Sequence, residues 1–291
     1  MCCDEGVTAH RSDTDPARLR VVAEDLATEA ANFVRTRRRE VFGAAAAAGG
    51  DAVRSKSTPT DPVTIVDTET EALLRARLAQ LRPGDEILGE EGGGPETEPA
   101  DVVTWAVDPI DGTVNFVYGI PCYSVSIGAR LDGVSVAGAV ADVEGGRVYS
   151  AARGLGAHVT DADGRRPLRC SAADELSMAL VGTGFGYAQW RRAAQAELLT
   201  GLLPRIRDIR RLGSAALDMC MVASGWFDAH FEHGLNVWDW AAGAVIAEEA
   251  GAQVWLPDTP DGPVVTAAPG VAAQFYATLG EFGVLDGLPR S

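Results

Sequence analysis

Lysine is nearly absent from this chain. Of its 25 basic residues, 24 are arginine and one is lysine, Lys56. Positive charge is also outweighed, because 25 basic against 41 acidic side chains leave a net charge of −16. An excess of that size disfavours direct binding of nucleic acid through its phosphates and opposes an anionic membrane surface. Cysteine is sparse. Cys2, Cys3, Cys122, Cys170 and Cys220 form no CxxC pair and no disulfide framework, which fits a reducing cytoplasm. No apolar leader accompanies Cys2 and Cys3, so lipidation there is not expected. His10, His158, His230 and His233 lack zinc-ligand spacing. Long apolar runs are missing too, and the small-apolar run Ala44 to Ala48 is far too short to span a bilayer. The chain has no Gly-x-Ser-x-Gly elbow and no Walker loop. Gly182, Gly184 and Gly186 lack the dinucleotide-binding spacing and read as a turn.

What is present suffices for a large core, since 46% of 291 residues are hydrophobic. Residues 1–15 are polar and aperiodic, and are expected to be disordered. Asp15-Pro16 opens a helix that runs to about Val41, with Leu19, Val22, Leu26, Ala30, Phe33 and Val34 at helical spacing. Residues 43–62 read as a mobile loop carrying Lys56. In a chain that otherwise uses arginine, one lysine suggests a site that needs a compact ammonium. A second helix starts near Asp67 and stops before Pro83. Short strands are expected at Ile87-Leu88 and 102–107, followed by an antiparallel meander from Tyr123 to about Ala152. Further strands are expected near 178–183, 206–210 and 227–232. Helices are expected at 191–203, from Ser214 to about Ala223, and from Asp239 to Gly251. Helices alternating with strands around one antiparallel block imply an α/β or α+β layered fold. No long linker divides the chain, so subdomains of about 16–185 and 186–285 would be closely joined within one domain, 16–291.

The stretch Trp105-Ala-Val-Asp108-Pro-Ile-Asp111-Gly-Thr-Val-Asn115-Phe116 stands apart. An apolar run ends in two carboxylates and a glycine. Pro109 restricts Asp108 to extended geometry, and Gly112 allows close backbone approach to a ligand. By itself this is equally an ordinary strand and Asx turn. Other carboxylates share its habit. Glu90 and Glu232 end strands, while Asp67 and Asp239 open helices. Each has a plain alternative as an N-cap or a solvated turn. If all six converge they must repel one another, and divalent cations would remove the repulsion.

Four blocks then occur in a known order: Thr60-Asp-Pro-Val-Thr-Ile-Val-Asp67-Thr-Glu-Thr-Glu71, Gly89-Glu90-Glu91, Asp108-Pro-Ile-Asp111-Gly-Thr113 through Gly119-Ile-Pro121, and Trp238-Asp239 through Glu249-Ala-Gly251. Together they resemble the inositol monophosphatase family, a group of Mg²⁺-dependent, lithium-sensitive phosphatases. The likeness covers about residues 17–285 and is closest in style to the actinobacterial members. It implies a layered αβαβα sandwich, usually a homodimer, acting in the cytoplasm on a small phosphorylated alcohol with two or three Mg²⁺ per site. By that resemblance, Glu90, Asp108, the Ile110 carbonyl, Asp111 and Asp239 match the metal ligands. Asp67 and Thr113 match the pair that activates water, and Lys56 the mobile-loop lysine. Gly112 and Thr113 match the phosphate donors. Gly213, Ser214, Ala215 and Glu232 match the contacts to the alcohol. Tyr118, His233, Asn236 and Trp240 depart from common members and are expected to alter the alcohol side of the pocket. Myo-inositol 1-phosphate is the expected substrate. Histidinol phosphate, fructose 1,6-bisphosphate and 3′-phosphoadenosine 5′-phosphate are alternatives, and weak basic equipment near Glu232 disfavours a second phosphate. A regulatory partnership with the transcription machinery is the alternative of a different class.

Overall fold

The computed structural model describes residues 14–43, 53–56, 62–259, 261–285 and 287–288. The expected disorder of the N-terminus, the alanine run and part of the Lys56 loop therefore lie outside the described residues. The first helix, α1 (Pro16–Phe42), is capped by Asp15, whose carboxylate accepts from the Ala17 amide at 3.0 Å. Its buried stripe is Leu19, Ala23, Leu26, Ala27, Ala30, Ala31 and Val34. The alanines let the helix lie close to the sheet beneath it, and truncating Leu26 to Ala would cost about 2–5 kcal/mol.

Where a mobile loop is expected, β1 (Val53–Ser55) and β2 (Pro62–Thr64) pair antiparallel. Thr64 then caps α2 (Ile65–Leu81) in a capping box with Asp67. Asp67 is thus the third residue of its helix and not the cap, a pattern already visible in Thr64-x-x-Asp67.

A seven-stranded sheet follows in the order β3-β4-β5-β6-β7-β8-β9. Its strands are β3 (Glu86–Gly89), β4 (Thr104–Asp111), β5 (Ser124–Leu131), β6 (Val134–Asp142), β7 (Arg147–Ala152), β8 (Ala157–Asp161) and β9 (Gly164–Pro167). Only β3 and β4 run parallel. Every residue of β4 is buried, as in a strand covered on both faces. Its pairing with β5 shifts register between Asp108 and Asp111. Pro109 has no N–H for the ladder, and one extra residue bulges out. The two aspartates therefore lie within a bent strand and not beyond its end. A short helix, α3 (Thr113–Tyr118), follows at once.

The second sheet has the order β11-β10-β12-β14-β13. Its strands are β10 (Leu180–Thr183), β11 (Asp208–Arg210), β12 (Ala229–His233), β13 (Gln253–Trp255) and β14 (Pro263–Ala267). Gly182, expected in a turn, pairs within β10. Helices α1 and α2 cover one face of the larger sheet. Between the sheets lie α5 (Ala215–Ala223) and α6 (Val237–Glu249). All nine residues of α5 are buried, as its position requires. On the far face of the smaller sheet lie α4 (Gln189–Leu202) and α7 (Pro269–Glu281). The stack is αβαβα, as expected. Cys122, Cys170 and Cys220 are free thiols. No helix among the described residues is long and apolar enough to cross a membrane.

Candidate active site

Five strands, β3, β4, β10, β11 and β12, run parallel within their sheets, and the residues at their carboxyl ends line one cavity of about 320 Å³. In layered α/β proteins such ends are where ligands sit. One wall is Glu90 after β3, Asp108, Ile110 and Asp111 at the end of β4, Gly112 and Thr113, and Asp239 in the first turn of α6. The other comprises Phe185 to Ala188 after β10, Arg191, Arg211, Gly213 and Ala215 after β11, and Glu232 to Asn236.

The acidic wall is held from behind. The Thr113 hydroxyl lies 3.1 Å from an Asp67 carboxylate oxygen and 3.0 Å from the Ile110 carbonyl. Asp67 is buried, and it also accepts from the Thr64 amide at 2.9 Å. One turn along the same face of α2, the buried Glu71 accepts from the amides of Glu91 and Gly92 at 2.7 and 2.8 Å. Two carboxylates spaced i, i+4 thus fix both the Glu90 turn and the Thr113 turn. Glu71 stands in the first sequence block, yet its role as an anchor was not read from it. Asp111 is fixed by the start of α5. Its Oδ2 accepts from Ser214 Oγ at 2.6 Å and from Ala216 N at 2.8 Å, and its Oδ1 from Ala215 N at 3.3 Å. That leaves one of the four carboxylate lone-pair positions free. The Asp108 carboxylate accepts from Ile110 N at 3.0 Å. Asp239 accepts from Asn236 N at 2.6 Å, so Asn236 is the cap of α6 and Asp239 its third residue. Gly112 has φ of +100°, and a Cβ there would lie 2.9 Å from the Gly213 carbonyl, so both conformation and space demand glycine.

The electrostatics reflect convergence. Burial holds Asp108 well above the ordinary carboxylate range, and the charges of Glu90, Asp111 and Asp239 push it further. Asp239 is raised well above that range by burial, then by Glu90 and Asp111. Asp111 and Asp67 are each raised to about 7, burial being the largest cause. Glu90, Asp108, Asp111 and Asp239, four carboxylates that feel one another, offer an all-oxygen donor set that fits a hard divalent cation. Lys56 reaches the same edge, with Nζ 2.7 Å from Glu90 and 2.5 Å from Glu91.

Ser214 and Asp67 support the lining residues and are not themselves part of the lining. Of the four unusual positions, His233 and Asn236 line the cavity. Tyr118 is exposed, on the surface of α3. Trp240 is buried on α6 beneath the Arg130 guanidinium, 4.9 Å from the ring centroid. Being one residue past Asp239, it faces the sheet instead of the cavity. The expectation of weak basic equipment near Glu232 also needs correcting, because Arg191 and Arg211 both line that wall. They come from α4 and from beyond β11, so only the fold brings them to Glu232. Arg191 is paired there with Asp261.

The sequence model of the inositol monophosphatase family matches residues 15–281. The chain belongs to that family. It is accordingly an enzyme of the phosphatase class. Among its relatives, the inositol-1-monophosphatase of Mycobacterium leprae is 67% identical over 283 residues, covering 94% of this chain and 97% of the relative. The solved structure of Mycobacterium tuberculosis SuhB has a TM-score of 0.80 at 59% identity, covering 94% of this chain and 99% of that one. A more distant relative, the Nus factor SuhB of Pasteurella multocida, is 39% identical over 200 residues, 68% of this chain and 73% of the relative.

Proposed function

We propose that the chain hydrolyses myo-inositol 1-phosphate to myo-inositol and phosphate, with Mg²⁺ held by Glu90, Asp108, the Ile110 carbonyl, Asp111 and Asp239. The observation that carries the proposal is the convergence of these oxygen donors on one cavity wall. Bound there, two or three Mg²⁺ would polarise the phosphoryl group, lower the pKa of water and offset negative charge on the leaving oxygen. The remaining work belongs to the chain. Asp67, held at about 7 by burial, is suited to take a proton near neutral pH through the Thr113 hydroxyl beside it. The backbone at Gly112 and Thr113 receives the phosphate. Lys56 supplies a counter-charge at the Glu90 edge. Gly213, Ala215 and Glu232 face the alcohol, supported by Ser214. The high identity to the Mycobacterium leprae inositol-1-monophosphatase favours the inositol phosphate. Millimolar-order lithium inhibition, a homodimer and a cytoplasmic location belong to the same proposal.

Arg211 on the alcohol wall favours one second reading, a substrate with another anionic group such as fructose 1,6-bisphosphate. Comparing kcat/KM for inositol 1-phosphate, histidinol phosphate, fructose 1,6-bisphosphate and 3′-phosphoadenosine 5′-phosphate separates the candidates. Inositol 1-phosphate is expected to lead, and a tenfold preference for any other would displace it. The Pasteurella multocida relative named Nus factor also motivates a pull-down. Recovery of RNA polymerase with catalytically dead Asp111→Asn would add a transcription role to the enzymatic one.

A further inference from the structure

Behind Glu232 lies a group of side chains that the phosphatase proposal leaves without work. His230 and Glu232 are two residues apart on β12 and so share one face of the strand. Asp218 meets them from α5. His230 has no exposed side-chain surface and Asp218 has 1%. Neither nitrogen of His230 and neither carboxylate oxygen of Asp218 has a hydrogen-bond partner. His230 Nε2 stands 3.5 Å from Glu232 Oε2 and 4.0 Å from Asp218 Oδ2, too far for hydrogen bonds to hold the group together. Burial raises Asp218 well above the carboxylate range, and the charges of Glu232 and Asp111 add to it.

One ligand atom from each residue lies within 4.8 Å of the other two. Around a Zn²⁺ with bonds of about 2.0–2.2 Å, ligand atoms sit roughly 3.4 Å apart in a tetrahedron, and no more than about 4.2 Å apart in any geometry. The two measured separations fall in that range. One imidazole and two carboxylates are the donors of a borderline metal such as Zn²⁺, whereas the neighbouring all-oxygen cluster suits Mg²⁺. Three protein ligands leave a fourth position open, and Glu232 lines the cavity, which provides an entry path. We propose that Asp218, His230 and Glu232 form a second metal site, selective for Zn²⁺, directly behind the alcohol wall. If Glu232 faces the alcohol as proposed above, Zn²⁺ there takes one of its oxygens and restrains the pocket. Metal binding itself does not depend on the phosphatase assignment.

The test uses the full-length chain, stripped with a chelator, exposed to Zn²⁺ in excess Mg²⁺, desalted into Mg²⁺ buffer and measured by elemental analysis. Excess Mg²⁺ keeps the carboxylate cluster occupied. About one Zn²⁺ per chain is expected in the wild type, with His230→Phe and Asp218→Asn each losing it. Zn²⁺ absent from the wild type, or retained undiminished in the variants, would overturn the site. Circular dichroism checks folding. If His230→Phe misfolds, the near-isosteric Asp218→Asn decides. Phosphate release with Mg²⁺ alone, measured on the same wild-type sample, reports separately on the phosphatase proposal.

Discussion

The two walls of the cavity differ in how they are held. On the acidic wall, the carboxylates of Asp108, Asp111 and Asp239 are each tied to a backbone amide, and that of Glu90 to Lys56. Asp111 is bound by the first turn of α5, Asp239 by its own capping box, and the flanking turns by Asp67 and Glu71 of α2. Its donors are fixed before any ligand arrives, as catalysis by charge stabilisation requires. The opposite wall draws on segments that follow β10, β11 and β12, with two guanidinium groups, the ring of Phe185 and a half-buried Glu232. One feature there is constrained, because a Cβ at Gly184 would collide with the Glu232 carboxyl. A rigid wall suits the phosphate that all substrates of this class share. A wall of long side chains suits the part that varies among them.

Substitutions can test this division. The largest effect is expected on the acidic wall. Asp111→Asn should lower kcat by about 10³-fold at fixed Mg²⁺, the scale of several kcal/mol of metal-dependent stabilisation. Thr113→Val, which breaks the link to Asp67, should cost about 10²-fold in kcat with little change in KM, as loss of acid–base assistance does. On the other wall, Arg211→Ala should change kcat/KM about tenfold for a bisphosphate and much less for inositol 1-phosphate. If Arg211→Ala instead lowers kcat equally for every substrate, the division is wrong. Lys56→Arg should keep activity within a fewfold of wild type if only its charge matters.

Stability gives the smallest signal, and it probes the acidic wall alone. Asp67 and Asp111 stand at about 7 in the folded chain, above the ordinary 3.8. Between those values the folded chain binds more protons than the unfolded one. Their contribution is therefore complete below about pH 4 and is lost as pH rises toward 7. The melting temperature of metal-free protein should fall across that interval. Added Mg²⁺ should raise it more at pH 8 than at pH 5, as scanning fluorimetry would read.

Much of the acidic wall was legible in the sequence because its residues lie in contiguous blocks. Asp108, Asp111, Gly112 and Thr113 fall within six consecutive positions, and the bulge that aims them is written in Pro109. The helix caps were misread by three residues, since Asp is more familiar as a cap than as the third residue of a capping box. Strand β9, Gly-Arg-Arg-Pro, is fully exposed at the sheet edge and carries no alternation to detect. Strand β14 is buried throughout and equally lacks a period-two pattern. The opposite wall was the least legible. Arg191, Arg211 and Phe185 belong to three separate segments, and nothing local marks them as neighbours. Asp218 was invisible for the same reason: its apolar helix signals burial, but nothing local shows that His230 and Glu232 meet it there.

The central claim, that the acidic wall acts through bound Mg²⁺ on a phosphate monoester, is met most directly by one titration. Wild-type protein stripped of metal is supplied with myo-inositol 1-phosphate, and inorganic phosphate is followed as Mg²⁺ is added. Release should be negligible with chelator, rise saturably with Mg²⁺, and stay near background throughout for Asp111→Asn. Equal turnover in chelator, or a normal Mg²⁺ response from Asp111→Asn, would contradict it.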